Sequence, residues 1–111
     1  MKINGTELEL DLLDQETATK YEKAIAAHQS KYSEKLQKAK TLSQTIKACG
    51  EATYALIDTL WGEGTAENVL GRKYHMQKCL DALNAIIAEE EQQAKGLNEW
   101  TERFRQARTE Q

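Results

Sequence analysis

Leu60-Trp61-Gly62-Glu63-Gly64-Thr65-Ala66-Glu67-Asn68-Val69-Leu70-Gly71 divides two long stretches of helical character and holds three of the six glycines and one of the two tryptophans. Gly62 and Gly64 give a reversal of the chain positive φ angles without steric cost. Thr65 is placed to cap a short helical turn over Ala66 to Leu70, which Gly71 then breaks or bends. A large apolar ring just before the first glycine suits a helix end that folds back on its own hairpin. The stretch reads as a packed corner between helices, with a recognition loop as the functional alternative.

Upstream of the corner, Tyr21, Ile25, His28, Tyr32, Leu36, Ala39, Leu42, Ile46 and Cys49 recur at steps of mostly three and four, an amphipathic helical stripe. Asp14 or Thr17 serves as the cap, with Asp14, Gln15 and Glu16 near the positive helix end. The stripe continues through Thr53, Leu56 and Leu60 with Ile57 beside it, so Gly50 is expected either to bend one long helix or to end it. Glu51 to Trp61 is the most hydrophobic segment and the one expected to be best buried.

Downstream, a last helix is expected from Arg72 or Lys73, striped by Met76, Leu80, Leu83, Ile87, Ala94 and Leu97 and widened by Cys79 and Ile86. Gly96 costs a helix about 1 kcal/mol relative to alanine. Trp100 and Phe104, four apart, pair on one face and read equally as a docking site or as core. The polar end is expected to fray. Ahead of all this, Asn4-Gly5 is a strong turn dipeptide, and Leu8, Leu10 and Leu12 alternate at strand period. Such a hairpin or extended arm is marginal alone, so it must lean on the helices or pair with another chain, its edge being open to strand addition.

The expected fold is therefore mainly α, a long helical hairpin or bundle of three helical segments with a short amino-terminal β-hairpin or extended arm. It is one domain of 111 residues: an arm over 1–13, a long and possibly bent helix over 14–61, the corner over 62–71, and a carboxyl-terminal helix over 72–108. There is no proline, and 30% of residues are charged against 40% hydrophobic, so the core is thin and part of the apolar surface is expected to be completed by another chain, most simply a second copy.

Net charge is −3 with both signs interspersed, and no clustered basic face of the kind nucleic acid requires is visible. Glu89-Glu90-Glu91 reads as a solvated helix face. The amino end is too polar for a signal peptide and no run approaches the roughly 20 apolar residues of a membrane span, which leads to the expectation of a cytoplasmic protein that binds no membrane. Cys49 and Cys79 sit singly on apolar phases and read as buried free thiols that can face one another across a helix pair.

No chemistry declares itself. His75 and Cys79 are four apart and could share a zinc with His28 or Cys49, yet no second ligand pair exists. Neither cysteine has a base nearby in sequence, and Gly62-Glu63-Gly64 lacks the strand and the Gly-Lys-Ser/Thr of a phosphate loop. No enzyme activity, cofactor, metal or small-molecule substrate is expected, and the chain reads as a binding or structural protein.

Three pieces together resemble a family of small phage and prophage proteins of Gram-positive bacteria: Met1-Lys2-Ile3-Asn4-Gly5 with Leu8-Glu9-Leu10; Asp14-Gln15-Glu16-Thr17-Ala18-Thr19-Lys20-Tyr21-Glu22-Lys23-Ala24; and the corner with Cys79-Leu80-Asp81-Ala82-Leu83 after it. The resemblance spans about residues 1–88, with the Gly-Glu-Gly-Thr-Ala-Glu run its most specific part. It implies a protein of the phage tail genes, a tail assembly chaperone that keeps the long tape-measure protein soluble, and it carries no catalytic residues. A second resemblance is to small secreted Trp-x-Gly helical-hairpin proteins, from which Trp61-Gly62-Glu63 departs in the place of its glycine and the two cysteines depart as well. A coiled-coil adaptor without a phage role is the third reading. For partner contact the candidate residues are Trp61, Val69, Leu70, Trp100 and Phe104.

Overall fold

A computed structural model describes residues 1–109. Its elements are β1 (Lys2–Ile3), β2 (Thr6–Glu7), α1 (Gln15–Lys38), α2 (Leu42–Trp61), α3 (Thr65–Leu70) and α4 (Met76–Thr109). The fold is mainly α with a two-stranded antiparallel hairpin at its amino end, four helices standing where three segments were expected.

The hairpin turns on Asn4 and Gly5, both at positive φ (50° and 81°), the two-residue turn whose twist matches its strands. Register places Lys2 opposite Glu7 and Ile3 opposite Thr6. Ile3 is buried in the common core, and Asn4 Nδ2 donates to the Val69 carbonyl at 2.7 Å. Leu10 continues the arm inward, with Leu8 and Leu12 packed beside it. The arm thus leans on this chain's own helices, and with two residues per strand its edge is short.

Asp14 caps α1, accepting from Thr17 N at 3.0 Å. The chain reverses at Ala39-Lys40-Thr41, not at Gly50. Thr41 Oγ1 accepts from Gln44 N at 3.1 Å while Gln44 Oε1 accepts from Lys40 N at 2.7 Å, a reciprocal box that starts α2. Leu36 and Leu42, apparent members of one continuous stripe, are exposed at this tip. Helices α1 and α2 form an antiparallel hairpin, tied near the tip by the Lys35–Glu51 ion pair.

Gly50 lies inside α2 for a reason of packing. A Cβ there would overlap Cγ of Tyr74, so the hydrogen-only face admits the tyrosine ring. From α2 inward, Ala48, Cys49, Ala52, Thr53, Leu56 and Ile57 are buried, as the hydrophobicity of this segment led one to expect.

The corner is a crossover and not a hairpin bend. Gly62 and Gly64 take the expected positive φ (111° and 90°), but Thr65 does not cap α3. Asp58 of α2 does so from outside, its Oδ1 accepting from Ala66 N at 2.9 Å, while Thr65 Oγ1 turns back to the Trp61 carbonyl. After α3 the loop 71–75 travels back along α2, where Tyr54 Oη donates to the carbonyls of Gly71 (2.6 Å) and Lys73 (3.2 Å). Tyr54 and Tyr74 meet edge to face at 4.9 Å between centroids. Helix α4 therefore begins at Met76, later than Arg72, beside the Cys49 end of α2, and runs in the same direction as α2 to the amino-terminal arm. There Gln93 Nε2 donates to the Leu10 carbonyl (2.6 Å) and Gln93 Oε1 accepts from Leu12 N (2.7 Å).

Ile57 and Ile86, both at 0% exposure, mark the centre of the core. Each contributes roughly 1.5–3 kcal/mol by leaving water. Gly96 does not interrupt α4, which is continuous through Thr109. The expected fraying falls partly on residues 110–111, outside the described residues. No helix among the described residues is long and apolar enough to cross a membrane.

Candidate partner-binding site

The five residues expected to touch a partner do not form one surface. Val69 and Leu70 are 5% and 2% exposed because α3, with Ala66, turns its apolar face onto α2. That face is taken up by the chain's own core. Trp61 is half-buried, and its Nε1 donates to the Glu9 carbonyl at 2.6 Å, so it fastens the arm. The corner is thus an internal joint.

Trp100 and Phe104 are of another kind. They stack at 5.4 Å and 8° on the far part of α4 and are 64% and 51% exposed. Their place follows from helical phase. Cys79, Ala82, Ile86, Gln93, Leu97 and Trp100 share one face of α4, and this face is covered by α2 and the arm only as far as Gln93. Beyond it the same face continues into solvent, with Leu97 53% exposed.

At that boundary lies a groove of about 150 Å³ between the start of α1 and α4, with Leu12, Leu13, Ala18 and Tyr21 on one side and Ala94 and Leu97 on the other. Glu22 and Glu90 give it a negative rim. Tyr21 Oη donates to Glu90 Oε2 at 2.7 Å, and burial, reinforced by that carboxylate, holds the phenol well above its usual range.

At the opposite end of the hairpin, Leu42, Ile46 and Tyr74 surround an open hollow of about 620 Å³ with Lys47 and Lys73 on its edge. Leu42 is 76% exposed, more than any other large apolar side chain among the described residues. Sequence reading took the charges as interspersed, whereas folding gathers these lysines at one tip. The Thr41-Leu42-Ser43-Gln44 box was the available signal, since a helix start there puts Leu42 outside.

A third cavity, about 300 Å³, runs between α1 and α2 over Ala24, Ala27, Ala52 and Leu56, with Lys20, Lys23 and Lys31 at its edge. His28 lines it. Its Nε2 is buried without a hydrogen-bond partner among the described residues, and burial lowers its pKa. Cys49 and Cys79 are free, buried, and face each other between α2 and α4. Hydrogen bonding to Cys49, together with burial, pushes the Cys79 thiol above the ordinary cysteine range. His75 is exposed while Cys79 is not, so the two do not converge on one ligand position. Among the described residues no three His, Cys, Asp or Glu side chains gather to hold a metal.

The profile of a family of unknown function (DUF6673) matches residues 4–111, nearly the whole chain. The chain belongs to the DUF6673 family. No curated protein and no solved structure matches it. The DUF6673 match takes in the arm from Asn4 onward, the crossover and the distal half of α4 together, so the overhanging helix belongs to the family's span and is not an appendage outside it.

Proposed function

We propose that this protein is a non-enzymatic assembly factor of a phage structural module, a tail assembly chaperone that covers an apolar helical stripe of the tape-measure protein in the host cytoplasm. One observation carries the binding reading: the core-facing stripe of α4 runs past the body of the protein and stays exposed at Leu97 and Trp100. An amphipathic partner helix laid along that face would find apolar anchors at helical spacing with a groove at their base. Two buried free thiols fit a reducing compartment. The phage assignment itself rests on the resemblance of residues 1–88.

Co-expression with a candidate tape-measure protein tests this directly. Soluble tape-measure protein co-purifying with the chain, and lost with Trp100→Ala but retained with the exposed control Gln106→Ala, is the expected result. No complex and no gain in solubility would remove the chaperone role and leave a helical adaptor for another partner.

A further inference from the structure

We propose that the protein associates head to tail with further copies of itself, the Leu42 tip of one copy entering the Leu13–Leu97 groove of the next. The tip offers an exposed apolar side chain and the groove an apolar seat of matching size. The tip presents the most exposed large apolar side chain, at 76%. The groove, lined by Leu12, Leu13 and Leu97, encloses about 150 Å³. A cavity of about that size accepts a benzene molecule, so it has room for a leucine side chain.

They are also complementary in charge. Lys47 and Lys73 edge the tip, with Lys40 one residue before its cap, while Glu22 and Glu90 edge the groove. Lys73 and Lys40 make no ion pair among the described residues, and Lys47 reaches Glu51 only at 3.9 Å.

Geometry decides that the contact lies between copies. The tip is where α1 turns into α2, and the groove is at the other end of the same hairpin, in a molecule 61 Å long. One copy cannot close on itself. A contact between two different patches is heterologous, giving a ring or an open filament and not a closed dimer. Salt weakens it, because the lysines and carboxylates involved are at the surface.

Sedimentation velocity of the full chain over a concentration series tests the proposal without any partner protein. Mass that grows with concentration at low salt and falls at high salt is expected. Leu42→Asp and Leu13→Lys alter exposed side chains, so circular dichroism should show both folded, and each alone should sediment as a monomer. Mixed in equal amounts they should form a dimer and nothing larger, since one intact tip then meets one intact groove and both outer ends are blocked.

A full chain that stays monomeric throughout would overturn the proposal. So would self-association that Leu42→Asp leaves intact, the signature of a symmetric pairing through the α4 ends, or a mixture that fails to restore the dimer. The tape-measure complex is read separately, by co-purification, so its failure is distinguishable from a failure of self-association.

Discussion

Gly50 and Gly96 are both glycines inside helices, and helix propensity treats them alike. Replacing either with alanine should gain about 1 kcal/mol. Their surroundings separate them. At Gly50 a methyl group meets Cγ, Cδ1 and Cβ of Tyr74 within 2.8 Å, atoms near the root of that side chain that cannot swing away cheaply. Overpacking of this kind costs about 1–3 kcal/mol, more than propensity returns. Gly50→Ala is therefore expected to lower the urea midpoint, and the loss should shrink in a Tyr74→Ala background. Gly96→Ala, with nothing within 4 Å, should raise stability by up to about 1 kcal/mol. Equal effects at the two sites would contradict the packing at Gly50. His28 sets a pH dependence at the same scale. Burial keeps its pKa in the folded state below the ordinary histidine value of about 6.5, so the unfolded chain takes up the proton first. Its contribution to stability is complete above about pH 6.5 and is lost as pH falls toward the lowered folded value. His28→Gln should flatten that part of the stability profile, and an unchanged slope would assign it to other groups.

At the scale of elements, what sequence revealed and what it concealed have physical causes. The Asn4-Gly5 turn and the Asp14 cap were legible because each rests on contacts within a few residues, and the burial within Glu51 to Trp61 because that segment's own hydrophobicity announces it. The reversal at Ala39-Lys40-Thr41 was hidden by a stripe whose 3–4 spacing happens to continue through Leu36 and Leu42, although neither is covered. Gly50 drew attention as a breaker because its partner, Tyr74, is 24 positions away in sequence. Of the candidate surface, Trp100 and Phe104 were legible and exposed, whereas Val69 and Leu70 looked identical in pattern and are core, since only the crossover lays α3 on α2. That lid also explains why Asp58 matters. It is the side-chain cap of a six-residue helix that lacks one of its own. Asp58→Ala should cost about 1 kcal/mol, as cap removals do, with early loss of amide-exchange protection over 65–70. Protection lost evenly across all helices would argue against a local cap.

The molecule as a whole is slender. Its Cα radius of gyration is 16.9 Å, against about 13 Å for a compact domain of this length. The excess comes from α4, whose residues 94–100 are all exposed. Truncation after Lys95 should bring the scattering radius down markedly and shift the thermal midpoint by no more than ~4 °C, because little is packed beyond Gln93. A large loss of stability would mean that the distal helix supports the core. Such a shape suits a protein whose end is meant to be covered by something else, and it keeps the groove and the lysine tip at opposite ends of the α1–α2 hairpin.

The arm that Gln93 and Trp61 hold in place carries a cost in time. Leu12 and Gln93 are 81 positions apart. On a ribosome adding about 5–20 residues per second, the arm waits roughly 4–16 s before its anchor has been made. During that interval Trp61 and Val69 can already hold Glu9 and Asn4, but Leu10 and Leu12 lack their hydrogen bonds to Gln93. The arm is thus made well before the residue that clamps it, and the native arrangement is secured only once α4 has arrived to receive it.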